Sequence, residues 1–159
     1  MRGVLWKGVG FGLTSGVITT LGLIVGLHAG THSKLAVMAG IVVLAIADAL
    51  SDAMGIHVSE EVEMEHTTKE LWGTAFFTFA SKLAFTLAFI IPIALLELST
   101  AILVSVFWGL SIIIVFSFHM ARSQKQNPRK VIAEHVLISV LVVLLTHYIG
   151  DMIYGIFIV

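Results

Sequence analysis

The stretch GVGFGLTSGVITTLGLIVGL, Gly8 to Leu27, runs for twenty residues without one charge. At about 1.5 Å of rise per helical residue this length crosses the roughly 30 Å of hydrocarbon in a bilayer. Four further long apolar windows follow, three of them with charges inside, so the chain reads as five helices over 8–28, 35–58, 71–96, 100–121 and 131–157. Little is left for loops. The expected fold is a single transmembrane domain over 1–159, an all-α integral membrane protein with five spans per subunit.

Composition points the same way. Hydrophobic residues make up 58% of the chain and charged residues only 12%, about half the charged share of an ordinary soluble domain. The lipid bilayer is therefore the first partner. Nine basic groups against ten acidic ones leave a net charge of −1, which offers no basic stripe for nucleic acid. With no Cys, disulfides, thiolate metal sites and cysteine nucleophiles are excluded. Any metal site must use oxygen, imidazole nitrogen or thioether sulfur. No nucleophile and base stand at a diagnostic spacing and His-Glu-x-x-His is absent, so no enzyme and no resident cofactor are expected.

Short loops rich in Lys and Arg stay cytoplasmic. With the N-terminus inside, the inner segments hold Arg2, Lys7, Lys69, Arg122, Lys125, Arg129 and Lys130, while the outer ones hold Lys34 alone. The N-terminus is thus expected in the cytoplasm and the C-terminus outside. A cleaved signal peptide is the competing reading of residues 1–30, but the run is too long and no small-x-small site follows. No organelle signal is legible, and the plasma membrane is the expected home in a prokaryote.

Gly8, Gly12 and Gly16 are spaced by four residues, and Gly22, Gly26 and Gly30 repeat that spacing. The six-residue offset turns the second ridge by about 240° from the first, so the first helix can be approached closely from two sides. It should be central. Pro92 is expected to kink the third span.

Charges inside the spans are costly and normally face a cavity or a partner. Asp48 and Asp52 stand one turn apart on one face of the second helix. Counted from Ser59, they lie about 16 Å and 10 Å deep, and Lys82 on the antiparallel third helix lies at about 15 Å. Two readings follow. Asp48 and Lys82 form a structural ion pair with Asp52 bonded to Ser51 or Ser81, or the acid that one Lys leaves in surplus binds a cation or a proton. Met54 would add a thioether suited to a softer ion.

The segment Ser59-Glu60-Glu61-Val62-Glu63-Met64-Glu65-His66, within an acidic stretch 59–70, is expected to continue the second helix into the cytoplasm. Glu63 and His66 have the Glu-x-x-His spacing of di-metal carboxylate bundles. Glu60, Glu61, Glu63 and His66 are read either as a funnel that receives cations or as a solvated acidic linker. His147 and Asp151 share a face near the outer end of the fifth helix and could line an exit.

In Gly12-Leu13-Thr14-Ser15-Gly16-Val17-Ile18-Thr19-Thr20-Leu21-Gly22-Leu23, in Ala49-Leu50-Ser51-Asp52-Ala53-Met54-Gly55-Ile56-His57-Val58-Ser59 and in the closing Thr146-His147-Tyr148-Ile149-Gly150, the chain resembles the vacuolar iron transporter family over nearly its whole length. The resemblance implies five-helix subunits that pair as homodimers and move Fe(II) or Mn(II) out of the cytoplasm in exchange for protons. The chain departs from the pattern at the chemistry. Ser15 stands where the family usually has an acid, Asp52 where it has Met, and Ile56 and His57 where it has Glu and Tyr; the long cytoplasmic metal-binding insertion is reduced to residues 60–70. An acid lost at Ser15 and one gained across from it at Asp52 would leave a site of similar charge.

The function expected from these residues is divalent-cation transport, an antiport of iron or manganese against protons by a homodimer. Asp48 and Asp52 would be the main ligands, Ser15 would face them, and Lys82 would act as charge partner or competing cation. A proton-linked carrier or channel for another solute and a non-transporting membrane scaffold are the alternatives.

Overall fold

A computed structural model describes residues 2–63 and 67–157. All regular structure among them is helical: α1 (Arg2–Thr31), α2 (Lys34–Glu63), α3 (Thr68–Ala88), α4 (Ile90–Leu95), α5 (Leu98–Ser123) and α6 (Pro128–Phe157). Five helices are long and apolar enough to cross a membrane, with α3 and α4 forming one bent span, Thr68–Leu95. The chain runs up and down, so the N-terminus, the α2–α3 connection and the α5–α6 connection share one end of the bundle. The α1–α2 and α4–α5 connections share the other.

The bend has a local cause. Pro92 has no N–H to give to the carbonyl one turn back. The helix stops at Phe89, whose N–H reaches Thr86 O at 3.2 Å, and restarts at Ile90. The carbonyls freed at the end of α4 are capped from α2, where Lys34 Nζ donates to Ala94 O at 3.1 Å and Leu96 O at 2.9 Å. Lys34, the lone Lys or Arg at that end among the described residues, thus closes a helix terminus.

α1 is the best buried span and α6 the least. The two glycine ridges of α1 lie against different helices. Gly8, Gly12 and Gly16 meet α3, where a β-carbon at Gly8 would stand 2.6 Å from Thr74 O. Gly22, Gly26 and Gly30 meet α6, where one at Gly22 would stand 2.7 Å from Val142 Cγ1. Without side chains the backbones approach closely, which is the route to tight packing where lipid removes the hydrophobic drive between helices. Gly12 is the most confined, because its β-carbon would run into Thr78 O and Ser81 Oγ. Backbone cannot swing aside. Gly12→Ala is therefore expected to lower stability by about 1–3 kcal/mol through overpacking. Gly55→Ala, which meets nothing within 4 Å, should gain up to about 1 kcal/mol of helix propensity. Thermal unfolding in detergent, monitored by circular dichroism, separates the two signs.

On the half of the bundle away from the N-terminus, Leu21, Ile24, Val37, Ile41, Phe89 and Ile93 pack into a continuous apolar core.

Candidate functional site: an intramembrane charge cluster

Three helices carry one charge cluster between them. On α3, Thr74, Thr78, Lys82 and Thr86 recur every four residues and are all buried, so the stripe facing α1 and α2 is polar instead of aliphatic. Lys82 is 1% exposed. The stem of its side chain runs past Gly16, where an added β-carbon would stand 3.1 Å from Lys82 Cγ. The last glycine of the first ridge thus makes room for the lysine.

The ammonium donates hydrogen bonds to two partners and forms an ion pair with a third. Lys82 Nζ lies 2.5 Å from Asp48 Oδ2, bonds Asp52 Oδ2 and donates to Ser15 Oγ at 2.9 Å. Ser15 Oγ donates in turn to Asp52 Oδ2 at 2.7 Å, and Thr19 Oγ1 donates to Asp48 Oδ2 at 3.3 Å. One cation thus bridges two acids, and with all three groups ionised one negative charge is in surplus. Charged hydrogen bonds at this burial hold α1, α2 and α3 in register.

Both carboxylates use Oδ2 for every one of these bonds. No donor among the described residues reaches either Oδ1, and the side chains of Asp48 and Asp52 remain 27% and 21% exposed. The pair is anchored on one oxygen each and open on the other. Thr19, which touches Asp48, also lines a groove of about 440 Å³ that α1 floors between α2 and α6, with Gly22, Gly26, Leu44, Val142 and Thr146 along it.

The arrangement differs from the ion pair read from the sequence. Lys82 takes both acids instead of Asp48 alone, and the hydroxyl on Asp52 comes from Ser15 of α1. Ser51 is exposed, about 100° round the helix from its neighbour. Ser81 faces α1 and donates to backbone, Thr78 O at 3.3 Å and Gly8 O at 3.5 Å. Met54 does not join the cluster. Two residues beyond Asp52 it has turned about 200°, and it is 49% exposed on the outer face of α2.

The acidic segment continues α2 to Glu63, and Glu60 is buried within it, paired with Lys7 of α1. Lys7 Nζ is also 3.9 Å from Glu63. Glu60 therefore fastens α2 to α1 at that end, while Glu61 is exposed. His66, with Met64 and Glu65, lies outside the described residues.

His147 and Asp151 pair along α6, Nε2 to Oδ2 at 3.4 Å, both more than half exposed and far from Lys82. Near them, the rings of His28 and His32 are 5.6 Å apart and those of His32 and Tyr154 4.7 Å. His28 and His147 line a second groove of about 490 Å³. Among the described residues, no three His, Asp or Glu side chains of one chain converge to hold a metal ion.

Thr19 and Lys7 escaped the sequence reading. Thr19 stands four residues after Ser15, a spacing that puts both on one face, and Lys7 was counted only as a marker of orientation.

Comparison with protein-family models gives no match, and comparison with curated proteins gives none. The likeness to iron transporters rests on the residues quoted above.

Proposed function

We propose that the chain is a divalent-cation transporter that exchanges iron or manganese ions for protons and works as a homodimer with its N-terminus in the cytoplasm. The observation that carries this reading is the pair Asp48 and Asp52, each with one carboxylate oxygen free of protein donors in the middle of an apolar bundle. Carboxylates so placed are too costly to keep facing hydrocarbon. Among the described residues a single chain brings two acids together and no third His, Asp or Glu, so a complete coordination shell calls for a second copy, seated where the α2–α6 groove of α1 opens beside Thr19. Two copies would bring four acids to one axis, and oxygen ligands in that number suit a hard or borderline divalent ion. Ser15 faces Asp52 directly, which is the pairing that the exchange of an acid between these two helices requires.

Protein reconstituted in vesicles with a pH gradient tests the reading against a panel of Fe(II), Mn(II), Co(II), Zn(II) and Mg(II). Uptake of Fe(II) or Mn(II) that collapses the gradient supports it. A gradient that no metal in the panel dissipates would overturn it. A second reading, a membrane scaffold, draws on Lys82, whose ammonium is held by Ser15, Asp52 and Asp48; in that case stability responds to the cluster and nothing responds to ions.

A further inference from the structure

Buried polar atoms are normally bonded, and those without a protein partner in a native structure usually hold water. Among the described residues, four such atoms have no partner: Thr78 Oγ1, His57 Nδ1, Ser105 Oγ and His28 Nδ1. Three of them belong to the helices that build the charge cluster, and two of these, Thr78 and His57, lie on the same side of it. Thr78 precedes Lys82 by one turn, about 6 Å nearer the N-terminal end, and His57 follows Asp52 by about 7.5 Å in that direction. Thr78 is fully buried and His57 is 9% exposed, its ring 4.4 Å from that of Trp72. His28 lies toward the other end of α1, and Ser105 lies on α5.

Thr78 is also an exception among its neighbours. Thr19, Thr20 and Thr74 satisfy their hydroxyls on the carbonyl one turn back, and Thr20 reaches Thr86 besides. Thr78 does not. A long helical side chain leans back over the preceding turn, which sets Thr78 on the turn of α3 beside the Lys82 stem. Asp52 Oδ1, without a protein donor, is the natural second partner for a water held there.

Beyond the cluster the same three-helix seam is apolar. Ala45, Ile41 and Val37 of α2, Ile24 of α1, and Phe89 and Ile93 at the bend are all buried. The contact of Thr20 with Thr86 in that half of the seam is complete within the protein.

We infer that a file of water enters each subunit from the N-terminal end, between α1, α2 and α3, passing Glu60, His57 and Thr78 to reach Asp52, and that an apolar plug seals the other side. The structure is then a state in which the cluster is accessible from one end only. This adds a direction of access to the proposed transport, and it places the route inside the subunit, apart from the groove that would seat a second copy.

The chain has no Cys, so single-Cys variants report on access directly. Ag(I) is added to reconstituted protein on the side bearing the N-terminus. Thiols left free are then capped with N-ethylmaleimide on unfolding and counted by intact mass. A thiol in a dry apolar seam stays protonated and unreactive, so Thr78→Cys is expected to be consumed about tenfold or more faster than Thr86→Cys and Ala45→Cys. Ala53→Cys, between Asp52 and His57 on α2, should follow Thr78→Cys and serves if that variant does not fold. Equal protection at Thr78, Ala53, Thr86 and Ala45 would overturn the inference. The readout needs no transport, so a water file without metal flux and metal flux without a water file are told apart.

Discussion

Asp52→Asn is expected to reduce metal-driven proton flux to that of empty vesicles while the protein still folds and migrates as the wild type on size exclusion. Asn keeps the shape of Asp, still accepts the Ser15 hydroxyl at the position of Oδ2, and leaves Lys82 paired with Asp48 at 2.5 Å. What is removed is one charge and its charged hydrogen bonds, about 1.5–3 kcal/mol of stability. The effect on transport is of another kind. The surplus negative charge of the cluster vanishes, because one carboxylate now faces one ammonium, and a divalent ion gains nothing by arriving. Asp48→Asn should behave alike. Flux measured with a pH-sensitive dye checks it, and wild-type flux in Asp52→Asn would remove Asp52 from the site. A scaffold would instead lose a little stability and show no ion dependence with either sequence.

The helical order was legible because it rests on composition and period, which act locally. Long apolar windows marked the five spans, four-residue glycine spacing marked two ridges, and Pro92 marked the bend. Depth arithmetic along antiparallel helices also placed Lys82 level with Asp48, one turn from Asp52. The partners at that level were less legible, since rise per residue says nothing about how helices are rotated against each other. Ser15 and Thr19 reach the acids because the Gly12 and Gly16 contacts with α3 set the rotation of α1. Met54 turned away because α2 packs along the stripe Ala45, Ala49, Ala53, His57. Lys7 and Glu60 met because α2 continues to Glu63 and lies along the start of α1. Each of these is fixed by packing between helices distant in sequence, for which a single window carries no signal.

Lys82→Met separates a structural knot from a site that an ion can occupy. Removing the ammonium leaves Asp48 and Asp52 facing each other with only Ser15 and Thr19 as donors. Breaking a buried pair in this way costs about 3–5 kcal/mol, which for a chain of this size lowers Tm by roughly 10 °C. The two Oδ2 positions that Lys82 held are then free for a metal. If the pair is a cation site, Mn(II) at about a hundred times its Kd should restore about 2.7 kcal/mol to Lys82→Met by mass action. The wild type should gain less at the same concentration, because the ion must first displace the tethered ammonium. Lys82→Met combined with Asp52→Asn should recover stability without metal, since one buried charge is easier to hold than two, and should lose the response to Mn(II). Thermal unfolding of the three proteins with and without Mn(II) reads all of this. If Mn(II) raised the Tm of Lys82→Met no more than that of the double variant, the acids would be a clasp between α2 and α3 and the transport reading would fall with them.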